Sequence, residues 1–218
     1  MKDTPRYTKS EEIFNMVSHI VGGGLGFVAL IFCVIIAAYN HHIWGVAGGI
    51  VYGLSAILLF TMSSVYHGLP TGWLAKRVFR TLDHCTIFVL IAGTYTPILL
   101  GRFREVYPID AWVLFGLIWT IALVGIVLNA VSLKRFMKAS LVMYLALGWL
   151  AVFRINRLLE VLGSAFFILI GIGGILYSVG AIFYVVGRKK KYMHSVFHIF
   201  VVVASVIHSV AIAIFTMP

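Results

Sequence analysis

Charged side chains are scarce in this sequence, and acidic ones are the scarcest. Only 11% of the 218 residues are charged, whereas soluble domains contain about 25%. Two cysteines, Cys33 and Cys85, are too few for a disulfide scaffold. Apolar residues make up 61% of the chain, which excludes a disordered protein and argues against a soluble domain. The composition therefore indicates an integral membrane protein.

Long uncharged runs predict the membrane-spanning segments. From Ile13 to Ala75 the chain has no charged residue, and because one spanning helix needs about 20 apolar residues, this stretch holds two spans. The predicted spans are 17–39, 44–66, 84–101, 111–133, 139–153, 161–187 and 192–218. The fifth run is the shortest, and six helices with a re-entrant segment are the alternative. Because the runs lack the alternation of barrel strands, we expect an all-α integral membrane protein with seven transmembrane helices.

The distribution of basic residues predicts the orientation in the membrane. With the N-terminus in the cytosol, only four of the 17 Lys and Arg residues lie in outer segments: Arg102, Arg104, Arg154 and Arg157. Cytosolic loops are rich in Lys and Arg, so we expect a cytosolic N-terminus and a C-terminus outside. Residues 1–16 then form a cytosolic segment and residues 17–218 the seven-helix transmembrane domain. The net charge of +10 is explained by the basic residues of the cytosolic segments. It is therefore no independent sign of nucleic-acid binding, and no nucleic-acid partner is expected.

Polar side chains gather at the inner ends of three predicted spans. Ser63 and His67 end the second span, Asp83 opens the third, and His194 and His198 open the seventh. Residues four apart share one face of a helix, so each pair can point to one place between helices. Three imidazoles with an oxygen ligand are typical of catalytic zinc sites. The donor set argues against an iron–sulfur cluster, Ca²⁺ or Mg²⁺.

Simpler interpretations of these residues stay open at this point. A histidine inside a membrane can serve only as a hydrogen-bond partner between helices. Asp83 can instead form an ion pair with Arg80 or Lys76 at the membrane interface. His84 directly follows Asp83 in the chain and is expected to face another direction.

A second polar stripe leads into the first predicted span from the cytosolic side. Glu11, Asn15 and His19 are each four residues apart and therefore share one helix face. They either extend the site or line its entrance. Alternatively, they form an interfacial helix face, with Glu11 near the helix N-terminus, where a negative charge is favourable.

In these residues the sequence resembles the haemolysin III family, within the larger progestin and adipoQ receptor group. The shared motifs, in order, are Glu11-x₃-Asn15-x₃-His19, Ser63-x₃-His67, Asp83 and His194-x₃-His198. The resemblance extends from Glu11 to about His208 and implies seven helices with zinc near the cytosolic face. It implies that His67, His194 and His198 bind zinc. It also implies that Asp83 contacts zinc through a water and that Ser63 belongs to the site. The length resembles bacterial members, which implies the bacterial cytoplasmic membrane.

Three functions follow as hypotheses. The first is a zinc-dependent intramembrane hydrolase, related to alkaline ceramidases, that acts on lipid amides or esters in membrane lipid homeostasis. Asp83 would be its general base and Ser63 would assist by hydrogen bonding, with a membrane lipid or free fatty acid in an intramembrane cavity. The second is a non-enzymatic sensor or receptor with structural zinc. The third, a cytolytic pore former, is disfavoured because the apolar runs offer no amphipathic lining.

Overall fold

The chain folds into a bundle of long α-helices. The structure, a computed structural model, describes residues 7–217, so residues 1–6 of the predicted cytosolic segment lie outside the described part. The long helices are α1 (Lys9–Tyr39), α2 (Ile43–Gly68), α3 (Leu74–Ile98), α5 (Pro108–Gly148), α6 (Ile155–Gly187) and α7 (Met193–Phe215). Shorter elements are a π-helical turn (Leu99–Phe103), α4 (Arg104–Val106) and a 3₁₀ turn (Leu150–Arg154). Residues 7–217 contain no β-strand, which confirms the predicted all-α class.

Within residues 7–217, five helical stretches are long and apolar enough to cross a membrane. They are Lys9–Tyr39, Ile43–Gly68, Leu74–Val106, Pro108–Gly187 and Met193–Phe215. Their outward faces carry large apolar side chains, such as Ile20 at 57% and Phe32 at 58% exposure. Because such an apolar exterior is stable against lipid and unstable against water, the chain is a multi-pass membrane protein.

The stretch Pro108–Gly187 is far longer than the others. Its 80 residues are about four times the length that a single crossing needs. The helical backbone is interrupted at Ser132, which is extended, and at Gly163, which has a positive φ of 78°. The 3₁₀ turn Leu150–Arg154 separates its two helices. The stretch therefore consists of several helical pieces that change direction between them.

Helix α1 begins before the predicted membrane span. Thr8 forms a capping box with Glu11, in which each side chain bonds the backbone N–H of the other residue. From Lys9 the helix runs unbroken to Tyr39, so the predicted boundary between residues 16 and 17 falls inside it. The N-terminal polar stripe is thus rigidly continuous with the first apolar span.

Helices α1 and α2 approach each other closely through small residues. A Cβ atom on Gly53 would lie 2.4 Å from Cβ of Leu30, and one on Gly26 would lie 3.2 Å from Cβ of Ala56. Small residues at such crossings let membrane helices pack backbone to backbone. This contact fixes the position of the α1 polar stripe against α2.

We expect Gly53→Val to destabilise the bundle by about 1–3 kcal/mol, because the added side chain overlaps Leu30. The melting temperature of the purified protein in detergent measures this effect. Gly116→Val on α5 is the matched control, because nothing lies within 4 Å of a Cβ at Gly116. Equal melting temperatures for the two variants would show that the α1–α2 crossing is looser than the structure has it.

Candidate metal centre

Three buried histidines from two helices meet at one end of the bundle. His67 lies at the end of α2, and His194 and His198 lie one turn apart at the start of α7. One ring nitrogen from each lies within 4.8 Å of the others, and no ring is more than 5% exposed. The Nε2 atoms of His194 and His198 are 3.1 Å apart. This histidine cluster can bind a metal ion.

The hydrogen bonding of the cluster fits a bound cation. Within residues 7–217, Nε2 of His67 is buried and has no hydrogen-bond partner. The same holds for Nδ1 of His194 and Nδ1 of His198. Buried polar atoms are rarely left without partners in native proteins, and neutral imidazole nitrogens are common ligands of transition metals. A metal ion at the cluster would satisfy His67 and relieve the close approach of the two Nε2 atoms.

Glu12, which the sequence analysis missed, contacts the cluster directly. Its Oε2 atom lies 2.6 Å from Nδ1 of His67, and its Oε1 atom lies 3.0 Å from Nζ of Lys76. Lys76 Nζ also donates to the backbone carbonyls of Tyr66 and Leu69 at the end of α2. The only sequence signal for Glu12 was its place beside the polar stripe of α1.

Asp83 lies beside the cluster and lines the same cavity as Ser63, His194 and His198. Its side chain is 14% exposed. Ser63 Oγ is buried and has no hydrogen-bond partner in the described part of the chain. Because Lys76 directs its ammonium group to Glu12 and the α2 carbonyls, the structure does not show the Lys76–Asp83 pair considered above.

The expectation that His84 faces away from Asp83 was wrong. Nδ1 of His84 lies 3.7 Å from Oδ2 of Asp83, and its Nε2 lies 3.2 Å from the hydroxyl of Tyr184. Neighbouring residues on a helix are about 100° apart, and the imidazole is long enough to turn back toward Asp83 across that angle. His84 therefore lines the same cavity as Asp83.

The N-terminal polar stripe packs against the cluster. Glu11 Oε1 accepts a 2.6 Å hydrogen bond from the backbone N–H of Tyr192, just before α7 begins. Asn15 Nδ2 lies 3.5 Å from Nδ1 of His67, at the limit of a hydrogen bond. The ring of His19 stacks on that of His198 with centroids 3.8 Å apart. Because all three stripe residues are buried, they face the inside of the bundle and do not form an interfacial surface.

Tyr7 covers the cluster on the side where α1 begins. Its ring stacks on His194 with centroids 4.7 Å apart and planes 16° apart, and it lies 5.6 Å from the ring of His67. The sequence offered no signal for this role, because a tyrosine just before a helix cap is unremarkable in composition and spacing. Tyr7 thus shields two of the three histidines from the aqueous side.

A long apolar cavity opens from the histidine cluster. Its volume is about 180 Å³, and its lining comes from the six long helices, with His19 from α1, and from the 3₁₀ turn. On α3 the lining extends from Asp83 to Ile98, which is about 22 Å along the helix axis. Apart from the polar groups at the cluster, the walls are mainly Leu, Ile, Phe and Tyr side chains, with His208 toward the other end. The cavity therefore covers most of the roughly 30 Å depth of a membrane core.

Comparison with known proteins gives matches over most of the chain. The family profile described as "Haemolysin-III related" matches residues 7–209. The chain is 38% identical over 208 residues to Hemolysin-3 of Bacillus cereus, covering 95% of this chain and 93% of that protein. It is 38% identical over 195 residues to the Hemolysin-3 homolog of Bacillus subtilis (strain 168), covering 89% of each. The human Monocyte to macrophage differentiation factor is 26% identical over 169 residues, 74% of this chain and 67% of that protein.

Proposed function

The chain belongs to the haemolysin III family of membrane proteins, and on that premise we propose that it is a zinc-dependent intramembrane hydrolase of lipid amides or esters. The observation that carries the proposal is that two histidines of the cluster, His194 and His198, line one end of a long apolar cavity. A site that only stabilised the fold would have no need for such a cavity. The cavity gives a lipid chain access to the metal ligands.

The residues present fit zinc. His67, His194 and His198 would hold the ion through their ring nitrogens, and three protein ligands are typical of catalytic zinc sites. Structural zinc sites are usually closed by four protein ligands. When bound, zinc supplies Lewis-acid activation of a water molecule and of a carbonyl group.

Asp83 and Ser63 would perform the remaining chemistry. Asp83 borders the cavity beside the histidines, where its carboxylate can hold the attacking water and accept its proton. Ser63 Oγ, which has no partner within residues 7–217, can donate a hydrogen bond to the carbonyl oxygen of the scissile group. His84, whose Nδ1 lies 3.7 Å from Oδ2 of Asp83, lines the cavity next to that carboxylate.

The cavity favours an acyl chain as the bound part of the substrate. Its walls are mainly apolar along about 22 Å, whereas its carboxylate, Asp83, and four of its five histidines lie at the cluster end. A membrane lipid would therefore place its amide or ester bond at the cluster and its acyl chain along α3. Free fatty acid, the product of hydrolysis, would occupy the same volume.

We further propose seven crossings with a cytosolic N-terminus. The breaks at Ser132, at Leu150–Arg154 and at Gly163 allow the stretch Pro108–Gly187 to cross three times. The other four apolar stretches of the described chain would cross once each, which gives seven crossings. The excess of basic residues on the side of the N-terminus supports this orientation. The histidine cluster would then lie near the cytosolic face of the bacterial cytoplasmic membrane.

Fatty-acid release from defined lipids tests the enzyme directly. The purified protein in nanodiscs is incubated with N-acyl and O-acyl lipids, and released fatty acid is quantified by mass spectrometry. We expect release that stops when zinc is removed by a chelator and resumes when zinc is returned. Zinc binding without hydrolysis of any lipid would favour a sensor with structural zinc. Erythrocyte lysis with size-limited osmotic protection would favour a pore former.

Ala151→Phe should impair the hydrolysis of long-chain lipids more than that of short-chain lipids. Ala151 lines the cavity beside Tyr95, about 18 Å along α3 from Asp83, and a phenyl ring there would fill a part of the cavity far from the cluster. The ratio of kcat/KM for long and short acyl chains measures the effect. Val152→Phe is the matched control, because Val152 is 49% exposed in the same 3₁₀ turn. The same ratio in both variants would show that the acyl chain binds elsewhere.

A further inference from the structure

The start of α1 places a carboxylate between α2 and α3. Oε2 of Glu12 lies 2.6 Å from Nδ1 of His67, and its Oε1 lies 3.0 Å from Nζ of Lys76. The side chains of His67 and Lys76 are 0% and 4% exposed, and that of Glu12 is 16% exposed. A largely buried carboxylate therefore joins one histidine of the cluster to one buried ammonium group.

Lys76 holds this carboxylate from a fixed position. An ammonium group has three N–H donors, and the structure provides an acceptor for each. Two are the carbonyl oxygens of Tyr66 and Leu69, at 3.0 and 2.8 Å, and the third is Glu12. Carbonyls at a helix C-terminus lack partners within the helix, and positive charge is favourable there. The end of α2 thus anchors Lys76, and Lys76 compensates the buried negative charge of Glu12.

The contact with Glu12 determines which nitrogen of His67 carries the proton. A carboxylate only accepts hydrogen bonds, so Nδ1 of His67 must donate to it. The amide of Asn15, 3.5 Å from the same nitrogen, is too distant to compete. The lone pair of neutral His67 then lies on Nε2, the buried atom without a partner in the described chain. That is the nitrogen available to a metal.

We infer that Glu12, held by Lys76, is a positioning residue that fixes the tautomer and ring orientation of His67 for metal binding. Histidine ligands usually donate their second ring N–H to a carboxylate, carbonyl or water, and loss of such a partner lowers metal affinity by about 10–100-fold. The inference rests on the metal site of the proposed function but not on hydrolysis.

Zinc affinity of Glu12→Gln, measured by chelator competition in detergent, tests this role. We expect the Kd for zinc to rise about 10–100-fold and the visible spectrum of the cobalt-substituted protein to change. The metal-free variant should melt at a lower temperature than the wild type, because the buried ammonium group of Lys76 loses its counter-charge, so zinc affinity is measured well below that temperature. Glu105→Gln is the matched control, because Glu105 contacts His42 at 2.9 Å at the opposite end of the 26-residue helix α2, about 39 Å away. Its zinc affinity should be unchanged.

An unchanged Kd in Glu12→Gln would overturn the inference. A wild-type protein that binds no zinc at all would instead overturn the proposed function, so the two failures are distinguishable. The metal-bound structure of the wild type gives a readout that does not depend on the variant folding. There we expect the ion on Nε2 of His67 with Glu12 still bonded to Nδ1. Coordination through Nδ1 would contradict the role assigned to Glu12.

Discussion

Asp83→Asn should reduce lipid hydrolysis about 10²–10⁴-fold while zinc stays bound. The expected loss is that of a general base, because an amide of the same size cannot accept the proton of the attacking water. The cavity and the three histidines are unaffected by this change, so the KM for the lipid should change little. Release of fatty acid under saturating lipid, together with the zinc content of the same preparation, measures both parts of the prediction.

Asp110→Asn is the matched control for Asp83→Asn. Asp110 forms ion pairs with Arg154 and Arg157, and both of these arginines are about half exposed. Exposed ion pairs contribute little to stability, so this variant should keep full activity. If Asp83→Asn hydrolysed lipid at the wild-type rate, the assignment of Asp83 as the base would be wrong. A loss of zinc in Asp83→Asn would identify Asp83 as a direct ligand, as expected of a closed structural site.

His194→Ala should abolish stoichiometric zinc binding and with it all hydrolysis. The ring of His194 would supply one of the three nitrogen ligands of the proposed site, and the two remaining histidines would not complete a zinc site. Zinc content, measured by elemental analysis after size-exclusion chromatography, should fall from about one ion per chain to near zero. The wild type should also gain thermal stability on zinc addition, by about 4 kcal/mol at a thousand-fold excess over Kd, whereas the variant should not.

His41→Asn is the control for nonspecific binding to histidines. His41 is exposed in the turn between α1 and α2 and has a positive φ, which asparagine tolerates. This variant should bind zinc as the wild type does. Zinc retained at full stoichiometry in His194→Ala would place the metal away from the histidine cluster.

The helices and the approximate positions of their breaks were predictable from the uncharged runs, but the geometry of the breaks was not. Uncharged runs identify apolar helices because backbone groups in lipid must be bonded internally. The break at Ser132 lies just before Lys134 and Arg135, which end the predicted span 111–133, and the break at Gly163 lies at the start of the predicted span 161–187. How the chain changes direction at each break depends on how neighbouring helices pack, which the uncharged runs do not specify. The early start of α1 had a local signal, the capping pair Thr8 and Glu11, which hydropathy alone does not register.

The sequence predicted the three histidines of the cluster but not the side chains from other helices that contact them. His194 and His198 are four residues apart, and helix periodicity alone puts them on one face. Glu12 contacts His67 from a different helix, and that contact exists only because α1 and α2 cross closely at Gly53. Contacts of this kind depend on helix crossing and rotation, which periodicity within one helix does not specify.

The family relation and the geometry support different parts of the account. The family match over residues 7–209 establishes that the chain is a membrane protein of the haemolysin III family. The three nearby imidazoles support a metal ion, and the adjoining cavity supports a lipid chain. Hydrolysis is the proposal that connects these features, because it needs both a metal centre and a bound acyl chain.

A metal-resolved structure of the purified protein, with anomalous scattering measured on both sides of the zinc absorption edge, tests the central claim most directly. We predict one zinc ion bound by His67, His194 and His198, with its remaining coordination position open to the cavity beside Asp83. An ion closed off by a fourth protein ligand, or an anomalous peak away from these histidines, would contradict a catalytic zinc centre.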